Sequence, residues 1–363
     1  MNKKCVLFIL IFVVFFTTKN VNAVVDTATS TVVMDMDSKR VLYEKNKDEK
    51  RLIASITKIM TAVVAIENKN LDDMVTVGEE VLSMYGSNIY VEVGEKMTLR
   101  DLLYGLLLRS GNDSAVVIAN YVGGNEENFV LMMNKKAKEL GMNNTVFNNS
   151  HGLDEETKNY STAYDMALLS SYANTLMEYC EITSTKHIIT KSSNKTYDWY
   201  NRNKLLTSYK YATGGKTGYT PKAGRTLITT ANKGNMNLTI VTLNDNNEYE
   251  THESLYEYSF NKYKNVLLID KNNFNIDDFK YSGNVYINSN FSYPLAEKEE
   301  KNVKKIINIY KLDEYNDGDK IGEVKVLLND DVLYKDYIYV RKVKKEKKDG
   351  ILAKIFNFFS SIF

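Results

Sequence analysis

Cysteine and histidine are scarce in this chain, which has two cysteines and three histidines among its 363 residues. The histidines are His151, His187 and His252, and no Cys-x-x-Cys or His-x-x-x-His pair occurs anywhere in the sequence. Such pairs supply the ligands of most zinc sites. The sequence therefore argues against a zinc hydrolase, and we expect neither a metal nor a cofactor.

The chain also lacks an excess of charge of either sign. Lysine and arginine together number 47, against 46 aspartates and glutamates. A protein that binds nucleic acid along its surface carries a clear basic excess, so nucleic acid is not an expected partner. The length is sufficient for one large domain and one small domain.

The first 23 residues have the pattern of a secretory signal peptide. Lys3 and Lys4 precede an apolar run at residues 5–16, and residues 21–23 offer a small-residue cleavage site. The apolar run is shorter than the roughly 20 residues that a membrane span needs, although a retained N-terminal anchor is the alternative. After cleavage Cys180 would be the sole cysteine, which excludes an internal disulfide.

Apolar periodicity predicts an α+β fold. Residues 32–43 alternate apolar and polar side chains about a polar turn, which indicates a two-stranded hairpin. Helices are predicted at residues 56–66, 99–109, 113–121, 126–140, 162–173 and 249–263, and strands at 186–190, 215–219, 226–231 and 238–243. Along the chain, a hairpin is followed by several helices and then by further strands. This order is typical of a sheet packed by helices.

The character of the chain changes after residue 263. Short strand-like runs separated by polar turns indicate a small all-β domain at residues 264–340. Residues 341–363 combine a basic stretch with an amphipathic helix that carries eight large apolar residues over residues 350–363. That helix would be about 21 Å long, too short for a ~30 Å hydrocarbon core, so we expect it to lie at a membrane surface. The alternative is a helix docked on the protein itself.

Three short motifs carry the residue types of nucleophilic chemistry. A Ser-x-x-Lys motif at residues 55–58 opens the first predicted helix, a Ser-Gly-Asn motif at 110–112 ends the second, and Lys-Thr-Gly at 216–218 lies on a predicted strand. Because residues three apart share a helix face, Lys58 can reach the hydroxyl of Ser55. Each motif alone is weak, but the three together, in this order, are specific.

The first two motifs suit an acyl-transfer enzyme. A lysine whose pKa is lowered can take the proton of a serine hydroxyl, and Lys58 fits that role toward Ser55, with Lys216 as the nearby cation. Ser110 can then pass the proton onward to the leaving amine.

The remaining motif residues are suited to holding a peptide substrate. Asn112 offers an amide to the peptide group, while Lys216 and Thr217 offer a cation and a hydroxyl to a carboxylate. The backbone N–H groups of Ser55 and Tyr219 can form an oxyanion hole.

The motifs and their surroundings resemble those of the serine-active penicillin-recognising proteins, in particular the low-molecular-mass D-alanyl-D-alanine carboxypeptidases. The segments that carry the resemblance are residues 54–61, 106–113, 140–145, 151–153 and 160–166. The resemblance implies a catalytic domain at residues 24–263, with an antiparallel sheet packed by helices as in the transpeptidases and β-lactamases. The small β domain and the membrane-attaching helix continue the plan of that family.

The resemblance also implies a function. Family members trim D-alanine from peptidoglycan stem peptides that end in D-Ala-D-Ala, are inhibited by β-lactam antibiotics, and act at the outer face of the cytoplasmic membrane. By this resemblance Ser55 is the acylated nucleophile, Lys58 the base and Ser110 the proton relay. Asn112 and Lys216 would be substrate-binding partners.

The chain departs from the family pattern at two places. Ile53 stands where the family usually has proline, which would alter the start of the first helix. The family usually has an arginine just before the helix predicted at residues 249–263, where it helps to hold the substrate carboxylate. Glu248 or Thr251 falls there instead, so either the third motif suffices or Arg225 substitutes. Carboxypeptidase and D,D-endopeptidase action are therefore both open.

Two other functions compete with this interpretation. Glu155 and Asn159 stand four apart, as in serine β-lactamases, where the glutamate activates the deacylating water. A solvated acidic loop at residues 154–156 is the simpler explanation, since β-lactamases lack a β domain and a tail. A wall-binding scaffold without turnover is the third hypothesis. We expect His151 to be structural and Trp199 to serve in packing.

Overall fold

The computed structural model describes residues 24–276, 281, 284–310, 312 and 314–341. The predicted signal peptide at residues 1–23 lies outside the described residues, as does the predicted tail from residue 342 onward. Within the described part of the chain, no helix is both long enough and apolar enough to cross a membrane.

The described residues form eight α-helices, seventeen β-strands and three short 3₁₀ helices. The α-helices are α1 Lys58–Asn68, α2 Leu99–Leu108, α3 Asn112–Gly123, α4 Glu126–Glu139, α5 Ala163–Ala173, α6 Met177–Ser184, α7 Leu205–Ser208 and α8 Glu248–Lys262. The strands are β1 Ser30–Asp35, β2 Val41–Lys45, β3 Arg51–Leu52, β4 Met74–Thr76, β5 Lys96–Thr98, β6 Tyr160–Ser161, β7 His187–Lys191, β8 Thr196–Tyr200, β9 Ala212–Thr220, β10 Gly224–Lys233, β11 Met236–Leu243, β12 Tyr263–Ile269, β13 Val285–Tyr286, β14 Phe291–Ala296, β15 Val303–Ile309, β16 Lys320–Leu328 and β17 Asp331–Val340. The 3₁₀ helices are Ala54–Thr57, Glu79–Ser83 and Glu300–Asn302.

A five-stranded antiparallel sheet in the order β2-β1-β11-β10-β9 organises the larger part of the molecule. Side chains alternate between the two faces of a strand, so Val32 and Met34 on β1 enter one core while Val33 enters another. The first core contains residues of α1, α2, α3 and α5, and the second contains residues of α8. Helices therefore cover the sheet on both faces, and the predicted α+β class is confirmed.

Most predicted elements of this part are present, and two predictions need correction. The strand predicted at residues 186–190 does not join the central sheet, because β7 pairs only with β8 in a separate hairpin within the described chain. The first motif does not begin in an α-helix, since Ser55 lies in the 3₁₀ turn and α1 starts at Lys58. Helix α6 was missed because its sequence mixes polar and apolar residues without a continuous apolar stripe.

The residues after α8 form a small β domain. Strand β12 pairs with β14, and the order β13-β17-β16-β15 makes a four-stranded sheet. Ile269, Val324 and Ile338 belong to the separate core of this domain. Arg40, beside the β1–β2 hairpin, donates to the Glu299 carboxylate at 2.6 Å and so links the two parts of the chain. The sequence had predicted this domain but not β14.

Candidate active site

Ser55 lies in a tightly constrained turn. Ala54, the residue before it, has a φ of 50°, a left-handed conformation that costs an alanine roughly 1–2 kcal/mol. Gly152 packs directly on this turn, since a Cβ on Gly152 would lie 2.1 Å from the carbonyl oxygen of Ala54. The surrounding chain therefore fixes the position of the Ser55 backbone.

Lys58 is fully buried, and its ammonium group connects three parts of the site. Its Nζ donates to Ser55 Oγ at 3.0 Å and to Asn112 Oδ1 at 2.8 Å. It also donates to the backbone carbonyl of His151. The bonds to Asn112 and to the His151 carbonyl thus hold the Lys58 side chain beside the Ser55 hydroxyl.

The electrostatic surroundings of Lys58 favour its neutral form. Burial is the largest cause that lowers its pKa well below the ordinary 10.5, and the charge of Lys216 adds to it. Asp113 opposes this shift, while Arg202 lowers the pKa further. A lysine whose pKa is lowered in this way can act as a general base.

Ser110 and Lys216 form a second buried pair. Ser110 connects α2 to α3 with a φ of 66°, and Lys216 Nζ lies 3.0 Å from its hydroxyl oxygen. Lys216 also donates to the carbonyl of Thr217 at 2.6 Å. Burial, followed by the charge of Arg202, lowers the pKa of Lys216 to about 7.

Strand β9 passes directly beside the Ser55 turn. A Cβ on Gly218 would lie 2.4 Å from Thr226 Oγ1 and 3.0 Å from the Ser55 nitrogen, so only glycine permits this approach. Thr217 is half-buried and Tyr219 is exposed, and both lie on this strand next to Gly218.

The structure therefore brings the three motifs of the sequence together. Hydrogen bonds join Ser55, Lys58 and Asn112, and a further bond joins Ser110 to Lys216. Asn112 is the first residue of α3 rather than the end of the preceding helix, so the second motif bridges two helices.

The residues considered as replacements for the missing arginine lie on β10 and α8. Arg225 is opposite Tyr219 in the β9–β10 register, and its side chain is 56% exposed. Its NH1 atom donates to Glu248 Oε1 at 3.5 Å, so an acidic partner already faces it. Thr251 is buried and turned toward Thr27.

Arg202 is a candidate functional residue that the sequence analysis missed. Its charge lowers the pKa of both Lys58 and Lys216, which places it near the two buried lysines. Its NH1 atom donates to Ser87 Oγ at 2.8 Å. A single arginine in a polar connection between β8 and α7 belongs to no periodic pattern, so no local signal could have identified it.

The pair that resembles a β-lactamase motif has other contacts. The Asn159 side chain accepts the N–H of Asn148 at 2.7 Å and donates to Thr57 Oγ1 at 3.0 Å. Glu155 is exposed and interacts with the Tyr85 hydroxyl. Asn159 thus connects its own loop to the 3₁₀ turn that contains Ser55, and Glu155 is part of the surface.

Several other candidates have structural surroundings. The Nδ1 atom of His151 accepts the N–H of Leu153 at 3.1 Å, and burial, with the charge of Lys58, lowers the pKa of His151 to about 3. Trp199 and Tyr197 are buried in the main core. Among the described residues, no group of three or more His, Cys, Asp or Glu side chains could hold a metal ion.

Comparison with known proteins identifies the family. The sequence profile described as D-alanyl-D-alanine carboxypeptidase matches residues 17–247, more than half of the chain. The chain belongs to this family. Among curated relatives, D-alanyl-D-alanine carboxypeptidase DacF of Bacillus subtilis is 37% identical over 266 residues, which cover 70% of this chain and 67% of that protein. D-alanyl-D-alanine carboxypeptidase DacC of Escherichia coli is 36% identical over 253 residues, or 65% of this chain and 62% of that protein.

Solved structures of similar proteins share the fold. Penicillin binding protein 5 of Haemophilus influenzae has a TM-score of 0.72 at 26% identity, with 87% of this chain and 97% of that chain covered. The D-alanyl-D-alanine carboxypeptidase DacD of Francisella tularensis has a TM-score of 0.69 at 28% identity, with coverages of 88% and 94%. The catalytic and β parts of the chain together thus have counterparts in solved members of the family.

Proposed function

We propose that this family member removes the terminal D-alanine from peptidoglycan stem peptides ending in D-Ala-D-Ala, through an acyl-enzyme on Ser55. The observation that carries the proposal is the fully buried Lys58, with a lowered pKa, 3.0 Å from the Ser55 hydroxyl. A base at that distance can activate a serine that is otherwise a weak nucleophile. β-Lactam antibiotics would acylate the same hydroxyl.

The positions of these groups support the following reaction. Ser55 Oγ attacks the carbonyl carbon of the penultimate D-alanine and gives its proton to Lys58, while the N–H groups of Ser55 and Tyr219 stabilise the oxyanion. The C–N bond then breaks, and Lys58 returns the proton through the Ser110 hydroxyl to the leaving amine. Lys216 Nζ lies 3.0 Å from Ser110 Oγ. Water attacks the ester, and its hydrolysis releases the shortened peptide and frees Ser55.

Substrate recognition is assigned to the groups around this centre. Asn112 would hold the peptide group, and Lys216 with Thr217 would bind the terminal carboxylate. This last contact bears on the choice between carboxypeptidase and D,D-endopeptidase action, because the substrate of a carboxypeptidase ends in a free carboxylate next to the scissile bond.

Labelling with penicillin tests the nucleophile. Fluorescent penicillin should label the wild type and Ser184→Ala, which alters an exposed serine of α6, but not Ser55→Ala. Lys58→Ala should slow the acylation at least ~100-fold, the usual scale for loss of a general base. Labelling of Ser55→Ala would mean that another nucleophile is acylated.

Mass spectrometry after exposure to penicillin and to a D-Ala-D-Ala pentapeptide tests the reaction class. A lasting penicilloyl adduct with loss of one D-alanine from the peptide is expected. Rapid turnover of nitrocefin would indicate a β-lactamase, and a protein that leaves the peptide intact would be a scaffold.

Export and membrane attachment are a separate part of the proposal, supported by the sequence of residues 1–23 and 341–363. Apolar burial contributes roughly 25 cal/mol per Å², so the predicted helix at 350–363 would bind a membrane surface, helped by the six basic residues of 341–348 at low salt. The mature protein should float with anionic liposomes, and high salt should weaken this binding without abolishing it. A chain ending at Asp349 should stay in solution yet still bind penicillin. Equal flotation of the shortened chain would place the anchor elsewhere.

A further inference from the structure

Residues 84–92 form an irregular wall beside Asn112, without helix or strand. The Asn112 side chain donates to the Tyr85 carbonyl at 2.7 Å, and its backbone N–H donates to the Ser87 carbonyl at 2.7 Å. The nitrogen of the Asn112 amide therefore donates to the wall, and its oxygen accepts a hydrogen bond from Lys58. Its orientation depends on where the wall places the Tyr85 carbonyl.

Asp113, the next residue of α3, holds this wall in place. Its Oδ2 atom accepts the N–H of Tyr90 at 2.6 Å and that of Val91 at 3.3 Å, and its Oδ1 atom accepts the N–H of Ile89 at 3.0 Å. The backbone N–H of Asp113 donates to Asn88 Oδ1 at 3.2 Å. The carboxylate is buried, so water does not replace these bonds easily.

The backbone of the wall is strained where Asp113 contacts it. Tyr90 has a φ of 62°, a conformation that a residue with a side chain keeps only when its surroundings impose it. The Tyr90 side chain is 71% exposed, so packing of the ring does not fix the backbone. Two hydrogen bonds fix the Tyr90 backbone instead. Its N–H donates to Asp113 Oδ2, and its carbonyl accepts from Lys195 Nζ, each at 2.6 Å.

We propose that Asp113 is a positioning residue for acylation, which fixes residues 88–91 on the first turn of α3 and thereby keeps the Asn112 amide oriented toward Lys58. The inference rests on the proposed function, because it assigns Asp113 a part in the same reaction. Asp113 does not itself reach the Ser55 hydroxyl. Its positioning effect passes through the wall and through Asn112, and it is separate from the effect of its charge, which raises the pKa of Lys58.

The test compares two buried carboxylates that both hold this region. Asp113→Asn replaces one acceptor oxygen by an N–H₂ group that would face the N–H donors of the wall. Glu95→Gln is the matched control, since Glu95 is fully buried and accepts from Glu92 N and the Tyr197 hydroxyl, each at 2.8 Å. We expect Asp113→Asn to slow penicillin acylation about 10-fold or more, and Glu95→Gln by less than about 2-fold. A similar slowing in both variants would overturn the inference.

A double-mutant cycle distinguishes positioning from general damage to the fold. If Asp113 acts through Asn112, the double variant Asn112→Ala with Asp113→Asn should be no slower than Asn112→Ala alone. If the double variant is slowed by the product of the two single-variant factors, Asp113 acts independently of Asn112. The slow rates are measured by labelling over hours, and each melting temperature is recorded.

A second variant covers the case in which Asp113→Asn does not fold. Asn88→Ala removes the 3.2 Å hydrogen bond between the Asn88 side chain and the backbone N–H of Asp113, and it leaves the Asp113 carboxylate in place. It should slow acylation a few-fold and show the same non-additivity with Asn112→Ala, and an unchanged rate would contradict the inference. If the wild type itself is not acylated, the proposed function fails. If the wild type is acylated normally and Asp113→Asn is acylated just as fast, only the proposed role of Asp113 is refuted.

Discussion

Lys58 and Lys216 are two buried lysines close enough that the charge of Lys216 helps to lower the pKa of Lys58. Each amine nitrogen lies 3.0 Å from a different serine hydroxyl oxygen, that of Ser55 for Lys58 and that of Ser110 for Lys216. Two cations are costly in such a site, so one lysine is favoured in its neutral form. Burial and the charge of Lys216 lower the pKa of Lys58, which favours its neutral form, whereas Lys216 is protonated below its pKa of about 7.

The first prediction is that β-lactam acylation falls on both sides of an optimum pH. At acidic pH Lys58 becomes protonated and cannot act as base, and above about pH 7 Lys216 loses the charge that would bind the carboxylate. In Lys216→Arg the guanidinium keeps its charge, so the decline should move to higher pH, although the rate falls because the side chain is larger. The measurement is the second-order rate of fluorescent labelling from pH 5 to 10. A decline at an unchanged pH in this variant would show that another group causes it.

The second prediction concerns stability. The pKa of Lys216 falls from 10.5 to about 7 on folding, so the unfolded chain binds more protons between these values and stability rises with pH across that window. The penalty of burying the charge is fully present below pH 7, at about 1.4 kcal/mol per pKa unit as an upper limit. Lys216→Met removes this penalty. Its melting temperature should exceed that of the wild type by several degrees at pH 6 and by less at pH 9, as measured by calorimetry. A difference independent of pH would contradict the assignment.

The local sequence contains enough information to recognise the three motifs, although it places Ser55 at the start of an α-helix and Asn112 at the end of one, where the structure has a 3₁₀ turn and the start of α3. The spacing of Ser55 and Lys58 is a local property, and the strands around Lys216 show their apolar pattern directly. A sheet packed by helices could be anticipated because a hairpin followed by helices and returning strands has few compact arrangements, but the order of the strands could not.

Other features depend on tertiary packing and have no local signal. Ala54, with its φ of 50°, lies in a turn on which Gly152, about a hundred residues later, packs directly. The position of Arg202 near two lysines depends on how the β7–β8 hairpin and β9 meet the helices. The hydrogen bonds from the backbone of residues 89–91 to Asp113 involve a segment without helix or strand, and apolar periodicity cannot predict the conformation of such a segment.

The third prediction compares two arginines as partners of the substrate carboxylate. Arg202 acts on both site lysines, whereas Arg225 faces Glu248 and is largely exposed. We therefore expect Arg202→Ala to impair peptides with a free D-Ala carboxylate at least ~10-fold more than amidated peptides. Arg225→Ala should impair both by a similar, small factor. The measurement is kcat/KM for matched peptide pairs, and a selective loss in Arg225→Ala would return the role to that residue.

The last prediction uses two glycines that share a left-handed backbone but differ in their surroundings. Gly152 has a φ of 89° and Gly141 has a φ of 73°, so alanine is strained at either position by roughly 1–2 kcal/mol. At Gly141 no heavy atom of the described chain lies within 4 Å of an added Cβ, whereas at Gly152 the Ala54 carbonyl oxygen would be 2.1 Å away.

Gly152→Ala must therefore displace the turn that carries Ser55, and Gly141→Ala need not. A displacement of about 1 Å at a reacting group can cost about 100-fold in rate. We expect Gly141→Ala to lose about 1–2 kcal/mol of stability and to acylate at the normal rate. Gly152→Ala should lose a further ~1–3 kcal/mol from overpacking and acylate about 100-fold more slowly. Urea unfolding and penicillin labelling of both variants supply the comparison, and normal acylation by Gly152→Ala would mean that the Ser55 turn does not depend on this contact.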